Sequence, residues 1–250
     1  MTPTAVILAG GLGTRLRSIT LDRWPKPMAP FAFAGRDHPF LAYPLAHLRR
    51  CGVSDVVLCI GHRGGQISEY FGDGLRFGMN IVYDDGGAVQ TATRVRRALR
   101  LVRADTCLVL CGDVYSPLDV GRFMATLDVH ADWLMQVAVQ VAVQAGSDPG
   151  PNIAWGADER VCAYASGGVS GPRVGRESGV LAVRRAAFSG LDAAADLSLT
   201  DHVYPLLMER RALGVFVSDA GFFDIGSPAG HERFRAFVEA GGARPLQAGG

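Results

Sequence analysis

The sequence predicts an α/β protein with a largely parallel β-sheet. Two observations carry this prediction. Short apolar runs typical of buried strands alternate with segments of helical periodicity, as in βαβ units. The first of these runs, residues 5–9, leads directly into the glycine-rich loop 10–15. Because parallel sheets bind ligands at the carboxyl ends of their strands, this loop is a candidate binding site.

The first half of the chain supplies most of the alternation. Apolar runs predict strands at residues 5–9, 55–61, 81–83 and 107–111. Apolar residues at helical spacing predict helices at residues 40–51, 66–71 and 89–103. The fourth predicted strand ends in Gly112-Asp113, which places a carboxylate at the same edge as the glycine-rich loop.

The second half predicts an antiparallel region and closing helices. Within residues 133–144, valine alternates with alanine or glutamine from Val137 to Gln144, which indicates a strand with one buried face. Further strands are predicted at residues 152–155, 160–164 and 179–183, and helices at 119–128, after Ser198 and at 231–239. Ser198 is expected to cap its helix.

Bulk composition excludes several classes of protein. The chain has 250 residues, 48% hydrophobic, and a net charge of +1, so no global field indicates binding to nucleic acid or membranes. It contains no long apolar run and no basic segment before an apolar stretch, so neither a membrane span nor a signal peptide is expected. The five cysteines form no CxxC pair, which indicates reduced thiols in a cytoplasmic protein and argues against a zinc site.

The stretch 5–27 has the chemistry of a phosphate cradle. Glycines allow close approach to the backbone, and successive amides in such a turn form an anion site. Arg15 and Arg17 add charge, and Lys26, the only lysine in the sequence, stands between two prolines. Spacing alone leaves a purely structural turn equally open. The dinucleotide pattern G-x-G-x-x-G fails, because Leu16 occupies its third glycine position.

The whole string is more specific than its parts. L-A-G-G-L-G-T-R-L at 8–16, followed by P-K-P at 25–27, resembles the signature of the sugar-1-phosphate nucleotidylyltransferases. The extended form of this string, G-L-G-T-R-L-R-S at 11–18 with P-K-P-M-A-P at 25–30, is most similar to the heptose-1-phosphate guanylyltransferase branch. The N-acetylmuramate-1-phosphate uridylyltransferases are near relatives. The resemblance implies a Rossmann-like, three-layer (GT-A-like) fold with a mixed, mainly parallel central sheet and a small antiparallel sugar-binding region. It also implies one domain over 1–240, divided near residue 115 into nucleotide and sugar halves, and a flexible tail at 241–250.

The resemblance assigns roles to residues of this sequence. Arg15 and Lys26 would be catalytic, and Asp113 and Asp224 would bind Mg²⁺, Asp224 through the F-x-D-I-G element at 222–226. The nucleotide would contact Leu8, Ala9, Gly10, Gly11, Gly13, Thr14, Thr91 and Gly112. Sugar hydroxyls would contact Glu177, Ser178 and Gly179.

The implied reaction is nucleotidyl transfer from an NTP, GTP being favoured, to a heptose or hexose 1-phosphate, with release of pyrophosphate. Two departures leave alternatives open. In the family a glycine-rich turn lies against the base, and residues 90–94 take its place here. The family's Glu-Lys pair, which holds the sugar phosphate, is replaced by residues 165–168. Arg173 or Arg176 would then substitute for the missing lysine. The acceptor could instead be a cyclitol phosphate, and the donor could be UTP or CTP. The third alternative is a catalytically weak protein that binds a nucleotide sugar for regulation. The sequence is compatible with a homo-oligomer.

Overall fold

The computed structural model describes residues 2–11, 13, 16–21, 23–141 and 150–248. The strands are β1 Thr4–Leu8, β2 Pro30–Phe33, β3 Arg36–Pro39, β4 Asp55–Ile60, β5 Asn80–Asp85, β6 Thr106–Cys111, β7 Val114–Tyr115, β8 Met135–Gln140, β9 Ile153–Trp155, β10 Val161–Tyr164, β11 Arg173–Arg184, β12 Leu213–Val217 and β13 Phe223–Asp224. The α-helices are α1 Arg17–Thr20, α2 Ala42–Arg50, α3 Gly64–Phe71, α4 Thr91–Ala98, α5 Val120–Val129, α6 Tyr204–Glu209 and α7 Pro228–Glu239. The predicted α/β class is confirmed.

The chain forms two compact units that do not divide it into two consecutive halves. The first unit comprises Met1–Ala88, Leu110–Pro117 and Phe222–Gly250, and the second comprises Val89–Val109 and Leu118–Gly221. The first unit thus takes in two distant segments that carry Asp113 and Asp224. These aspartates lie far apart in sequence, and folding brings them into one unit.

A parallel sheet forms the centre of the first unit. β1 pairs with β4, and β4 pairs with β5, both in parallel. The three central residues of β1, 5–7, are completely buried, as expected for a parallel strand covered on both faces. The carboxyl ends of these strands therefore lie at one edge, where the glycine-rich loop begins.

An aromatic cluster around Phe234 of α7 stabilises the first unit. The Phe234 ring lies 5.0 Å from the ring centroids of Phe31 and Phe40, and 5.3 Å from those of Tyr43 and Tyr115. All four pairs are tilted or edge-to-face, which is the favourable arrangement for aromatic rings. The cluster fixes α7, and α7 directly follows the segment that carries Asp224.

The tail after Gly241 is anchored along its described part. Ala243 and Leu246 are each 3% exposed, and the Leu246 amide donates a hydrogen bond to the Ala42 carbonyl at 2.8 Å. The sequence predicts flexibility here because glycine, alanine and proline dominate the composition. Burial of two apolar side chains against the unit holds the segment instead.

The second unit contains the antiparallel region that the sequence predicts. β8 pairs in parallel with β12 and antiparallel with β11, while β9 pairs antiparallel with β10 and β11. The prediction of one buried face for β8 is wrong, since residues 135–139 are all buried. β8 lies between two strands and is covered on both faces, and the Nε2 of its buried Gln136 donates a hydrogen bond to the Phe123 carbonyl at 3.0 Å. Residues 142–144 of the predicted strand lie outside the described residues.

The helices of the described residues fall short of the requirements for a membrane-spanning helix. No helix there combines the length and the apolar character needed to cross a bilayer.

Truncation of Phe234 tests the importance of the aromatic cluster. Phe234 is completely buried, so Phe234→Ala is expected to lower the free energy of unfolding by about 3–5 kcal/mol through lost contacts and a cavity. Urea denaturation followed by circular dichroism measures this change. Phe237→Ala is the matched control, because Phe237 is only half-buried and its truncation should cost less. Equal losses for both variants would contradict the central position of Phe234.

Candidate active site

The site in the first unit starts where β1 ends. The Ala9 amide donates to the Cys59 carbonyl at 2.9 Å, and the Gly112 amide donates to the Leu8 carbonyl at 3.0 Å. A Cβ on Gly112 would lie 2.8 Å from the Leu8 oxygen and 2.9 Å from the Ala9 Cα. Only glycine therefore lets the segment that carries Asp113 approach the end of β1 this closely.

The glycine-rich loop contacts the lysine that the sequence singles out. Gly13 has φ +67°, a left-handed conformation that favours glycine, and a Cβ there would lie 3.4 Å from the Lys26 Cβ. Gly11 is exposed, and the space a Cβ would enter is open, so its backbone is accessible. The predicted contacts of Thr14 and Arg15 lie outside the described residues.

Lys26 and Asp113 form an ion pair. The Lys26 Nζ donates to the Asp113 Oδ2 at 2.7 Å, and the two side chains are 13% and 25% exposed. Lys26 begins a short 3₁₀ helix, Lys26–Met28, with Pro25 as its N-cap and Pro27 buried. Since proline fixes φ, the two prolines restrict the backbone on both sides of the lysine. The site thus holds a cation and a carboxylate in contact.

Asp224 lies beside Asp113 through backbone pairing. β13 pairs antiparallel with β7, with Asp224 opposite Val114, and the Ile225 amide donates to the Asp113 carbonyl at 3.0 Å. The Asp224 Oδ1 accepts a hydrogen bond from the Gly226 amide at 2.6 Å. The two predicted metal ligands are therefore on directly adjacent backbone segments.

Gly230 in the first turn of α7 packs on the Asp224 backbone. A Cβ at position 230 would collide with the Asp224 carbonyl oxygen. Ser227 caps the same helix by accepting a hydrogen bond from the Gly230 amide at 3.1 Å. The aromatic cluster, acting through α7, thus determines where Asp224 lies.

The donor set of this site is compatible with Mg²⁺. Within the described residues, no group of three or more His, Cys, Asp or Glu side chains is arranged to hold a metal ion. Mg²⁺ requires less, because it is bound through one or two carboxylates together with substrate phosphates and water. Asp113 and Asp224 supply two such carboxylates.

A second group of predicted residues lies in the second unit, on an irregularity of β11. Glu177 pairs with Val139 of β8, but the next paired residue, Leu181, lies opposite Val137, so β11 bulges in between. Gly179 within the bulge has φ +74°, which favours glycine. Bulges redirect side chains and occur often beside binding sites. The three residues predicted to contact the sugar, Glu177, Ser178 and Gly179, therefore all lie at this irregularity.

Glu177 is held in a hydrogen-bonded network. The Tyr204 hydroxyl donates to the Glu177 Oε1 at 2.7 Å, and the Glu177 amide donates to the Asn152 Oδ1 at 2.8 Å. Burial raises the pKa of the Glu177 carboxyl, against the opposing effect of hydrogen bonds from Tyr204 and Tyr164. Next to it, the Ser178 hydroxyl is buried and has no hydrogen-bond partner among the described residues. Buried polar atoms are nearly always paired, so the unpaired Ser178 hydroxyl is an exception that a bound ligand would account for.

Thr91 also lies in the second unit, where its hydroxyl accepts a hydrogen bond from the Leu199 amide at 2.9 Å. The neighbouring amides are engaged as well, because Gln90 donates to the Asp196 carboxylate at 2.9 Å and Ala92 donates to the Leu197 carbonyl at 2.9 Å. The segment that replaces the family's glycine-rich turn is thus fixed by the 196–199 segment.

Sequence reasoning missed Tyr204, Asn152 and Asp196. Each is a partner of a predicted residue and lies 25 or more positions away from it. Asn152 begins a predicted strand and Tyr204 lies in a predicted helix, and neither position carries a local motif. Only the folded chain reveals these pairings.

Comparison with known proteins gives related enzymes. The chain is 28% identical over 233 residues to the D-glycero-alpha-D-manno-heptose 1-phosphate guanylyltransferase of Aneurinibacillus thermoaerophilus, which covers 90% of this chain and 93% of that protein. It is 35% identical over 117 residues to the N-acetylmuramate alpha-1-phosphate uridylyltransferase of Neisseria meningitidis, or 46% of this chain and 48% of that one. Several curated relatives are longer than the matched region, because the alignments with three of them span 61%, 51% and 48% of the relative's own length.

A solved structure shares the fold. The crystal structure of HddC from Yersinia pseudotuberculosis aligns with a TM-score of 0.78 at 24% identity, covering 94% of this chain and 99% of that one. The family model described as nucleotidyl transferase matches residues 4–149, which include the glycine-rich loop, Lys26 and Asp113. The resemblance seen in the sequence is confirmed, and the chain belongs to the nucleotidyl transferase family.

Proposed function

We propose that this protein transfers a nucleotidyl group from an NTP to a sugar 1-phosphate, giving a nucleotide sugar and pyrophosphate. The ion pair between Lys26 and Asp113, at 2.7 Å beside the glycine-rich loop, carries the proposal. It places a cation for phosphates next to a carboxylate suited to a metal. Asp224, on the adjacent segment, completes the set.

The chemistry needs positioning more than proton transfer. A sugar phosphate monoester is already a nucleophile, so its oxygen can attack the α-phosphorus without a general base. The main task is to hold two anions together and to stabilise the charge that develops between them. Lys26, fixed by two prolines, would bridge the α-phosphate and the acceptor phosphate, while the amides around Gly11 and Gly13 would hold the triphosphate.

Mg²⁺ is the cofactor that we propose for Asp113 and Asp224. When bound, it would neutralise phosphate charge and polarise the phosphoryl group that is attacked. Lys26 occupies one oxygen of Asp113 in this structure, so the lysine and a metal would share the carboxylate or exchange on it. A nucleotide supplies phosphates to which the lysine can turn.

The second unit supplies the proposed acceptor contacts. Glu177 would accept hydrogen bonds from sugar hydroxyls, and the unsatisfied Ser178 hydroxyl would gain a partner. Side chains alternate along a strand, so Arg173 shares the face of Glu177, whereas Arg176 lies on the opposite face. This placement favours Arg173 as the substitute for the family's missing lysine.

Guanine is the base that we favour. Support comes from the heptose 1-phosphate guanylyltransferase relative, which matches nearly the full length of both chains. Heptose or hexose 1-phosphates are the corresponding acceptors. A cyclitol phosphate is the second candidate, because the 165–168 segment that replaces the Glu-Lys pair contains no lysine to hold a sugar phosphate.

A matrix of substrates tests the proposal. GTP, UTP, CTP and dTTP are each combined with heptose, mannose and glucose 1-phosphates and an inositol phosphate, and pyrophosphate release is measured with and without Mg²⁺. We expect Mg²⁺-dependent release, greatest with GTP and a sugar 1-phosphate. Greatest release with the inositol phosphate would favour the cyclitol alternative. Nucleotide-sugar binding without any release would replace the proposal with a regulatory binder.

Lys26→Ala tests the proposed catalytic cation. Loss of a single charge-stabilising donor typically lowers kcat by about 100-fold or more, and we expect a decrease of at least that size. Steady-state pyrophosphate release measures it, and circular dichroism verifies folding.

Arg23→Ala is the matched control for charge, since Arg23 is exposed and lies three positions before Lys26. It should leave kcat unchanged. Near-normal turnover by Lys26→Ala would remove the lysine from the mechanism.

Glu177→Gln tests the acceptor site through stability and binding together. Burial raises the folded-state pKa of Glu177 above its ordinary value of 4.5, so ionisation costs the folded protein stability as the pH rises above about 4.5. Glutamine removes this cost. The variant should be more stable than the wild type at pH 7, with a gain that vanishes below pH 4.5, yet should have a higher KM for the sugar phosphate.

Glu209→Gln, at an exposed glutamate, is the control and should change neither property. Urea denaturation at pH 7 and pH 4, with KM from initial rates, gives both readouts. A Glu177→Gln variant that is less stable at pH 7 but binds the acceptor normally would assign Glu177 a structural role.

A further inference from the structure

Two adjoining cavities open on the first unit and share the residues Phe33, Leu246 and Gln247. Their volumes are about 410 and 570 Å³, within the range of small-molecule sites. Together they form one feature, which we call the arginine groove. Lys26, Asp113 and Asp224 line neither cavity, so the groove is distinct from the candidate active site.

The arginine groove is strongly cationic. Five arginines line it: Arg36, Arg49, Arg50, Arg76 and Arg244. No aspartate or glutamate is among the described residues that line it. Like charges gathered at one cavity repel one another, and the chain as a whole is nearly neutral. A bound polyanion would relieve this repulsion.

The arginines are carried by anchored parts of the fold. Arg49 and Arg50 lie in the last turn of α2. Arg244 is exposed between the buried residues Ala243 and Leu246, and the hydrogen bond from Leu246 to Ala42 fixes this segment on α2. The backbones of these three arginines are therefore fixed before any ligand arrives, which lowers the cost of binding.

The groove is also lined by the aromatic side chains of Phe33, Tyr70 and Phe77. The Arg76 guanidinium lies 4.5 Å from the Phe77 ring centroid and also donates to the Tyr70 carbonyl. Phe33 and Tyr70 are half-buried and each present part of a ring. Arginines select phosphate groups, while aromatic and guanidinium planes stack on a flat base.

We propose that the arginine groove is a second binding site, for a nucleotide that carries two or more phosphates. The phosphates contact Arg49, Arg50 and Arg244, and the nucleoside lies toward Phe33 and Tyr70. The site follows from the groove alone and does not depend on the proposed transfer reaction.

Calorimetric titration of the whole protein tests the site, with GDP and inorganic pyrophosphate as probes. The test variant is Arg49→Gln combined with Arg244→Gln. The control combines Arg100→Gln with Arg103→Gln, two exposed arginines that line neither cavity, so the change in net charge is the same. Both pairs are exposed, and thermal melting verifies their folding.

We expect the test variant to bind one GDP fewer per chain than the wild type and the control. If binding at the groove is weakened but still measurable, its GDP affinity should fall at least about ten-fold for each arginine removed. We also expect GDP to bind the groove more tightly than pyrophosphate. Unchanged GDP stoichiometry and affinity in the test variant, or an equal loss in the control, would overturn the site. Equal affinities of GDP and pyrophosphate for the groove would overturn its assignment to nucleotides. If no substrate pair released pyrophosphate, the proposed transfer reaction would fail, but the test variant should still bind GDP less well than the control.

Discussion

The ion pair between Lys26 and Asp113 is the interaction around which the first unit is arranged. Three separate parts of the chain must meet to form it: the Lys26–Met28 turn, the end of β6 and the end of β1. Gly112 permits the approach of Asp113, and Gly13 makes room beside Lys26. Because both side chains are mostly buried, loss of either partner would leave the other charge poorly solvated. The positions of Lys26 and Asp113 and the charges that they carry thus depend on each other.

Packing far from the chemistry fixes the second carboxylate. The Phe234 cluster holds α7, Gly230 lets α7 rest on the Asp224 backbone, and pairing with β7 sets Asp224 beside Asp113. In the second unit, the bulge in β11 and the Tyr204 hydroxyl hold Glu177 as a desolvated carboxyl. Each unit therefore places its polar groups by backbone irregularities and glycines, which side-chain patterns alone do not reveal.

Local patterns predicted the parts of the structure that depend on local physics. The buried strands follow from apolar runs, the glycine-rich loop from its glycines, and the cap at Ser198 from the preference of serine for helix N-termini. Asp224 was predicted only through the family resemblance, since no spacing connects it to Asp113. The burial of β8 on both faces, the anchored tail at Leu246 and the Tyr204 contact depend on tertiary packing. A single sequence carries no signal for them.

Binding of Mn²⁺, followed by electron paramagnetic resonance without nucleotide, tests most directly whether Lys26 controls access to Asp113. Mn²⁺ serves as a spectroscopic substitute for Mg²⁺. If the lysine occupies the carboxylate until a nucleotide arrives, Lys26→Ala should bind Mn²⁺ more tightly than the wild type, because Asp113 is released. Equal or weaker Mn²⁺ affinity in Lys26→Ala would contradict this role of the ion pair.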